Sequence, residues 1–251
     1  MTAETLFEPH DWHAFDSFQT EAEYFERDVH VLILDTLRAG VTLLNQEMQD
    51  EDAALKGHLG NADGHLAEII GERQIDLWST VGDQENFLRN MALVALLSRL
   101  AHALKQMARA AETFQPIDQN RSEDGKDEFK QIWAEYRARF GIDFSPRFIQ
   151  FIDPLRRARN MIVHNGGEAN LPISIMEIDL SKGDEGFYDP SFMKKYPQFV
   201  DGTGSGAKIV VSEEQLNSTV DASVKLVKHA AQRLREKELE AVKKERLNPK
   251  G

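Results

Sequence analysis

The chain has 251 residues, 41% of them hydrophobic and 29% charged. That is enough apolar material for a packed core, and it is too regularly spaced for a disordered polypeptide. Cysteine is absent, which excludes disulfides, thiolate zinc sites and cysteine nucleophiles.

The 30 basic and 42 acidic side chains leave a net charge of −12, which argues against a general nucleic-acid coat. The imbalance is local. Residues 1–85 hold 19 acidic and 4 basic side chains, whereas residues 86–251 hold 23 and 26. An anionic ligand would have to use the second part. The start, Met1-Thr2-Ala3-Glu4, has neither the basic nor the apolar region of a signal peptide. The longest apolar stretch, Met91 to Leu104, is interrupted by Arg99 and His102 and is short for a bilayer span. A cytoplasmic protein with no membrane segment is expected.

In chain order, Thr20-Glu21-Ala22-Glu23 has capping-box spacing. Phe25, Val29, Leu32 or Ile33, Leu37, Val41 and Leu44 follow at helical period, which predicts a helix over 21–50. Asp50-Glu51-Asp52, Gly57, Gly60 and Gly64 predict an irregular polar stretch, followed by a shorter helix over 65–78. Gly82-Asp83 is expected to open another helix, over 84–114. Its Ala, Leu and Met content marks it as central and apolar on more than one side.

After a loop over 116–125, residues 126–140 read as an amphipathic helix bearing Phe129, Ile132, Trp133, Tyr136 and Phe140, stopped by Gly141. Ser145-Pro146 supplies an N-cap and a first-turn proline for a helix to about His164, ended by Asn165-Gly166-Gly167. Residues 173–180 and 208–211 are strand-like and would pair across a flexible insertion over 181–206. Ser212-Glu213-Glu214-Gln215 is a second capping box. It opens a final helix with Leu216, Val220, Val224, Val227, Ala231 and Leu234 on one stripe, and residues 236–251 form a charged tail. The expected fold is all-α: one helical domain over 1–251, with a small β-hairpin insertion before the C-terminal helix.

Chemistry concentrates between Leu155 and Gly167. On a wheel with Phe148 as origin, Ile152, Leu155 and Ile162 fall within about 40°, and Arg159 sits at about 20°, in the middle of that apolar stripe. An arginine there calls for an anionic partner, an interface or a cleft. Arg156, Asn160 and His164 follow one another at i, i+4 and i+8 on a neighbouring face, with Arg157 at its margin. Arg159 and His164 are five residues apart, about 140° on an ideal helix. One straight helix therefore does not offer both to a single phosphate. The reach of the arginine, an unwound helix end at the glycine pair, or residues from two protomers would close the gap.

Arg159-Asn160-Met161-Ile162-Val163-His164 resembles the Arg-x4-6-His motif of the HEPN superfamily (higher eukaryotes and prokaryotes nucleotide-binding domains). The polar residue after the arginine and the late position in a helical chain are similar too. The resemblance is specific over about ten residues, and elsewhere it rests on helical architecture alone. It implies an HEPN-like helical bundle and a metal-independent endoribonuclease, needing no cofactor and no metal, of the kind found in toxin–antitoxin or antiphage defence systems. It also implies a homodimer with the motif at its interface, RNA as the substrate, and an antitoxin or defence-system partner. Carried onto this sequence, Arg159 would hold the scissile phosphate and stabilise charge in the transition state. His164 would move a proton at the 2′-hydroxyl or the 5′-oxygen. Asn160 would orient the imidazole or bind a phosphate oxygen. Arg156, Arg157 and Asn165 are the candidate RNA contacts.

Plainer roles exist for the same residues. His164 could answer the helix macrodipole before an Asn-Gly stop, Arg159 could pair with an N-terminal carboxylate, and Arg156 and Arg157 could be solvated charges. Gly202-Thr203-Gly204-Ser205-Gly206-Ala207-Lys208 lacks the Gly-Lys-Ser/Thr of a phosphate loop and is expected to be a flexible loop. Phe187, Tyr188, Phe192, Tyr196 and Phe199 are expected to pack over the hairpin rather than stack on bases. Likewise Phe7, Trp12, Phe15 and Phe18 are expected to dock on the bundle. His10, Asp11 and His13 make a trio with no further ligand at metal spacing. The competing function is a non-catalytic helical module that binds a nucleotide or a partner protein, with the acidic N-terminal part engaging a basic partner.

Overall fold

The computed structural model describes residues 13–60, 63–114, 128–165, 192–202 and 207–247. Helices α1 (His13–Arg27), a π-helical segment (Asp28–Asp35) and α2 (Thr36–Leu59) follow without a break. After them come α3 (Gly64–Ala110), a 3-10 turn, α4 (Glu128–Phe140), α5 (Pro146–Asn165), the short α6 (Phe192–Lys195), a hairpin of β1 (Val200–Asp201) and β2 (Lys208–Ile209), and α7 (Glu213–Leu247). The fold is all-α, with a two-stranded hairpin just before the C-terminal helix.

The chain divides into two compact units. Unit 1 comprises Met1–Val29, Leu96–Arg156 and Asn217–Gly251; unit 2 comprises His30–Ala95 and Arg157–Leu216.

In unit 1 the core is set by helical stripes read directly from sequence. Leu97, Leu100, Leu104 and Met107 of α3 are buried, as are Ile132, Tyr136 and Phe140 of α4 and Val220, Val227 and Leu234 of α7. The small side chains of Ala101, Ala103 and Ala108 are buried on the same broad face of α3 as these larger ones, whereas Ser98, His102 and Arg109 on the opposite side are exposed. This half of α3 is therefore apolar on one face and not on several. Phe18 is buried and meets Phe114 edge-on, in keeping with docking of the first aromatic helix. Phe7, Trp12 and the side chain of Phe15 lie outside the described residues.

Polar contacts fix the same elements. Arg99 Nη1 donates to Glu21 at 2.6 Å and its Nε to Asp28 at 3.0 Å. Burial pushes the Asp28 carboxyl up, but hydrogen bonds from Arg99 and Arg27 outweigh that and hold it below the usual carboxylate value. The Tyr136 hydroxyl donates to the Leu104 carbonyl at 2.8 Å. Burial pushes that phenol well above its ordinary value. Gly141, at φ 63°, closes α4 in the left-handed conformation, and its N–H donates to the Arg137 carbonyl.

In unit 2, α2 and the first part of α3 are tied by Asn45 to Glu85 at 3.0 Å and Gln74 to Asp52 at 2.8 Å. At Gly40 an added Cβ would lie 3.4 Å from the Leu88 side chain, an ordinary van der Waals contact. The hairpin pairs antiparallel, Val200 opposite Ile209 and Asp201 opposite Lys208. The side-chain amides of Asn86 and Asn90 both donate to the Ile209 carbonyl at 2.9 Å.

Several elements differ from expectation. Helix α2 runs on through Asp50-Glu51-Asp52 to Leu59, because Asp52 is held by Lys56 one turn ahead and by Gln74. Thr20 lies inside a helix rather than at its start. Gly82 does not open a new helix, since α3 is continuous over 47 residues, about 70 Å. The π-helical register settles which apolar residue is buried, Ile33, and leaves Leu32 exposed. β2 pairs with residues 200–201, inside the stretch expected to be a flexible insertion, where α6 and a 3-10 turn also form. Residues 173–180 lie outside the described residues. By length and composition α3 could cross a membrane, and half of the relevant window is buried in the protein.

Candidate functional site

The candidate site lies on α5, and its start is built as the sequence predicts. The Ser145 carbonyl accepts from Phe148 and Ile149 at 2.9 and 3.1 Å, and Pro146 occupies the first turn, where its missing N–H leaves no gap. The backbone stays helical through Asn165 despite Pro154 in its interior. An unwound end before the glycine pair is therefore not how Arg159 and His164 approach one another. Gly166 and Gly167 lie outside the described residues.

The buried arc of α5 is wider than Ile152, Leu155 and Ile162. Ala158 and Met161 are buried too, as is Pro154. This moves the centre of the arc away from Arg159, which sits at its margin and is part-buried, not in its middle. The small and irregular residues Pro154 and Ala158 carry little weight in an apolar pattern, although they pack closely here.

The guanidinium of Arg159 is directed by its neighbour: Nη1 donates to Asn160 Oδ1 at 3.3 Å. Successive residues of a helix diverge by about 100°. This contact therefore joins the sector of Arg159 to that of Asn160, which lies on the face shared with Arg156 and His164. The side chains of His164 and Asn165 lie outside the described residues. Their backbone places His164 one turn beyond Asn160 on that face.

Arg156 donates to Asp153 at 2.9 Å in an i,i+3 ion pair, its side chain only 15% exposed. Arg157 is half-buried. Sequence reasoning misses Asp153, although Asp-x-x-Arg on a helix is itself the signal for such a pair. A carboxylate within this basic cluster lowers its net charge and fixes the orientation of Arg156.

The other candidates resolve toward structure. Lys208, at the end of the glycine-rich stretch, donates to both carboxylate oxygens of Asp83 at 2.8 and 2.9 Å. Residues 203–206 lie outside the described residues. Phe192 and Phe199 are buried, and the Phe192 ring meets those of Tyr196 and Phe199 at tilted angles, so these three aromatics pack. Phe187 and Tyr188 lie outside the described residues, as do His10, Asp11 and the side chain of His13. Among the described residues, no three His, Asp or Glu side chains gather as a metal site. Among the described carboxylates near the N-terminal end, Glu21 and Asp28 meet Arg99 and Glu26 meets Lys228.

Compared with protein-family models, with curated proteins and with solved structures, the chain matches none.

Proposed function

We propose that the protein is a metal-independent endoribonuclease of HEPN type, with Arg159, Asn160 and His164 as its working residues. The observation that carries this reading is the turn of α5 in which Arg159 bonds to Asn160, the residue one helical turn before His164. The 2′-oxygen attacks phosphorus while its proton passes to a base. The bond from phosphorus to the 5′-oxygen breaks, and that oxygen takes up a proton. The products are a 2′,3′-cyclic phosphate and a 5′-hydroxyl. Arg159 offers the charge that the five-coordinate phosphorus needs, and His164 can serve either proton step near neutral pH. A homodimer that joins two motifs would supply one imidazole to each step. The setting implied by the resemblance is a toxin–antitoxin or antiphage system.

Purified protein incubated with total RNA in EDTA is expected to cleave it and leave cyclic phosphate ends. Arg159→Ala and His164→Ala are each expected to lose activity by a factor of roughly 10² or more while keeping their helical spectrum. Cleavage at the normal rate by either variant would remove that residue from the mechanism.

A second reading, a non-catalytic module that binds a partner protein, is favoured by the 19 acidic and 4 basic side chains of residues 1–85. Its signature is a stable complex with no RNA turnover and with indifference to His164→Ala.

A further inference from the structure

The first part of α3 carries a face that nothing in unit 2 occupies among the described residues. One side of the helix is used by α2, through Gln74 and Glu85 and the buried Ile70 and Val81. On the side away from those residues, Glu68, Glu72 and Asp76 recur every fourth position, and all three are exposed. None of the three forms a hydrogen bond or ion pair with a described residue. Large apolar side chains flank this acidic row. Ile75 is 71% exposed, Trp78 56% and Ile69 46%.

We propose that this face binds a basic, amphipathic helical segment of a partner protein. Exposed Ile and Trp are anchors for an apolar surface, and a row of unpaired carboxylates selects lysine and arginine around that surface. The chain itself supplies an example of the match: Lys208 of the hairpin seats on Asp83, which continues the acidic side of α3. From Glu68 to Asp76 the unpaired row rises about 12 Å, a little over two turns of a partner helix. RNA is repelled by the same charge. A second copy of this chain is disfavoured as well, because a two-fold contact would set one acidic row against another.

The test uses a fluorescein-labelled 18-residue peptide of leucine and lysine, patterned to place all its leucines on one helical face. A scrambled peptide of the same composition serves as control, and binding to the full chain is read by anisotropy. The patterned peptide is expected to bind saturably and at least tenfold tighter than the scramble. Glu72→Lys with Asp76→Lys, and separately Ile75→Ser with Trp78→Ser, are each expected to weaken it at least tenfold. Glu214→Lys with Asp221→Lys makes the same change in net charge on exposed positions of α7 and is expected to leave binding unchanged. If charge reversal lowers helicity, Glu72→Gln with Asp76→Asn carries the test. Equal binding of patterned and scrambled peptides, or equal loss from the α7 and α3 pairs, would overturn the proposal. This inference does not depend on the ribonuclease reading, and His164→Ala leaves the peptide result unchanged.

Discussion

From Leu93 to Ala111, α3 and the turn after it bury nearly every apolar side chain they carry. From Leu66 to Met91 the same helix leaves Leu66, Ile69, Ile75, Trp78, Phe87 and Met91 exposed. Residue type does not separate the two halves, since both are rich in large apolar side chains. Arrangement does. In the second half Leu96, Leu97, Leu100, Ala101, Ala103 and Leu104 gather on one broad arc of about 160°, opposite the exposed Ser98, His102 and Arg109, and a single continuous packed face buries such a pattern. In the first half the exposed apolar residues alternate with Glu68, Glu72 and Asp76, and only the side that meets α2 is buried. One helix thus contributes a buried face to the core of one unit and leaves large apolar side chains exposed in the other.

The sharpest break in this comparison is a truncation in each half. Leu100 is fully buried, so Leu100→Ala is expected to lose about 2–5 kcal/mol, the sum of lost transfer energy and the cavity left behind. Ile75→Ala removes an exposed side chain and is expected to change stability by less than about 0.5 kcal/mol. Guanidinium denaturation of both variants checks the contrast through the shift in midpoint at constant slope. Similar losses at the two positions would mean that Ile75 is covered in solution.

Smaller but still measurable is the polar fastening of the second half. Tyr136→Phe removes the donor to the Leu104 carbonyl and leaves that buried acceptor without it. The expected loss is about 1–3 kcal/mol, again read from the denaturation midpoint. The ring itself stays in place against Phe140 and Phe144, so the change reports the hydrogen bond rather than packing.

What is legible from sequence is what local chemistry decides. The Ser212 box forms reciprocally: the Ser212 N–H donates to Gln215 Oε1 and the Gln215 N–H to Ser212 Oγ. The stripe from Leu216 to Leu234 behind it is buried throughout. The end of α4 at Gly141 and the start of α5 at Pro146 are equally local. What escapes is decided at a distance. Glycine costs a helix about 1 kcal/mol relative to alanine, so Gly82 looks like a break. It is carried by its neighbours, with Val81 buried, Glu85 bonded to Asn45 and Asp83 to Lys208. Strands of two residues have no period to read, which is why pattern alone misplaces the partner of residues 208–209. At the site, spacing alone singles out Arg159 and Asn160. It misjudges the sector of Arg159 because Pro154 and Ala158 contribute to the buried arc without standing out in an apolar pattern.

A smaller loss than that of Tyr136→Phe is expected at the outer edge of the buried half, where Arg99 grips α1. Arg99 Nε donates to Asp28, whose carboxyl titrates below the ordinary value of 3.8. A carboxyl with a lower pKa in the folded than in the unfolded state binds protons more weakly when folded. Its stabilising contribution is therefore complete above pH 3.8 and is lost as the pH falls through the lower folded value. Asp28→Asn is expected to cost about 1 kcal/mol or less at neutral pH, because the pair is partly exposed and Glu21 still holds Arg99. It is also expected to flatten the decline of stability below about pH 4, because the variant has no proton to take up there. Thermal melts of the two proteins between about pH 3 and 7 check both statements. Parallel curves over that range would show that the Arg99 grip depends on Glu21 alone, and that the edge of the buried half is held by packing.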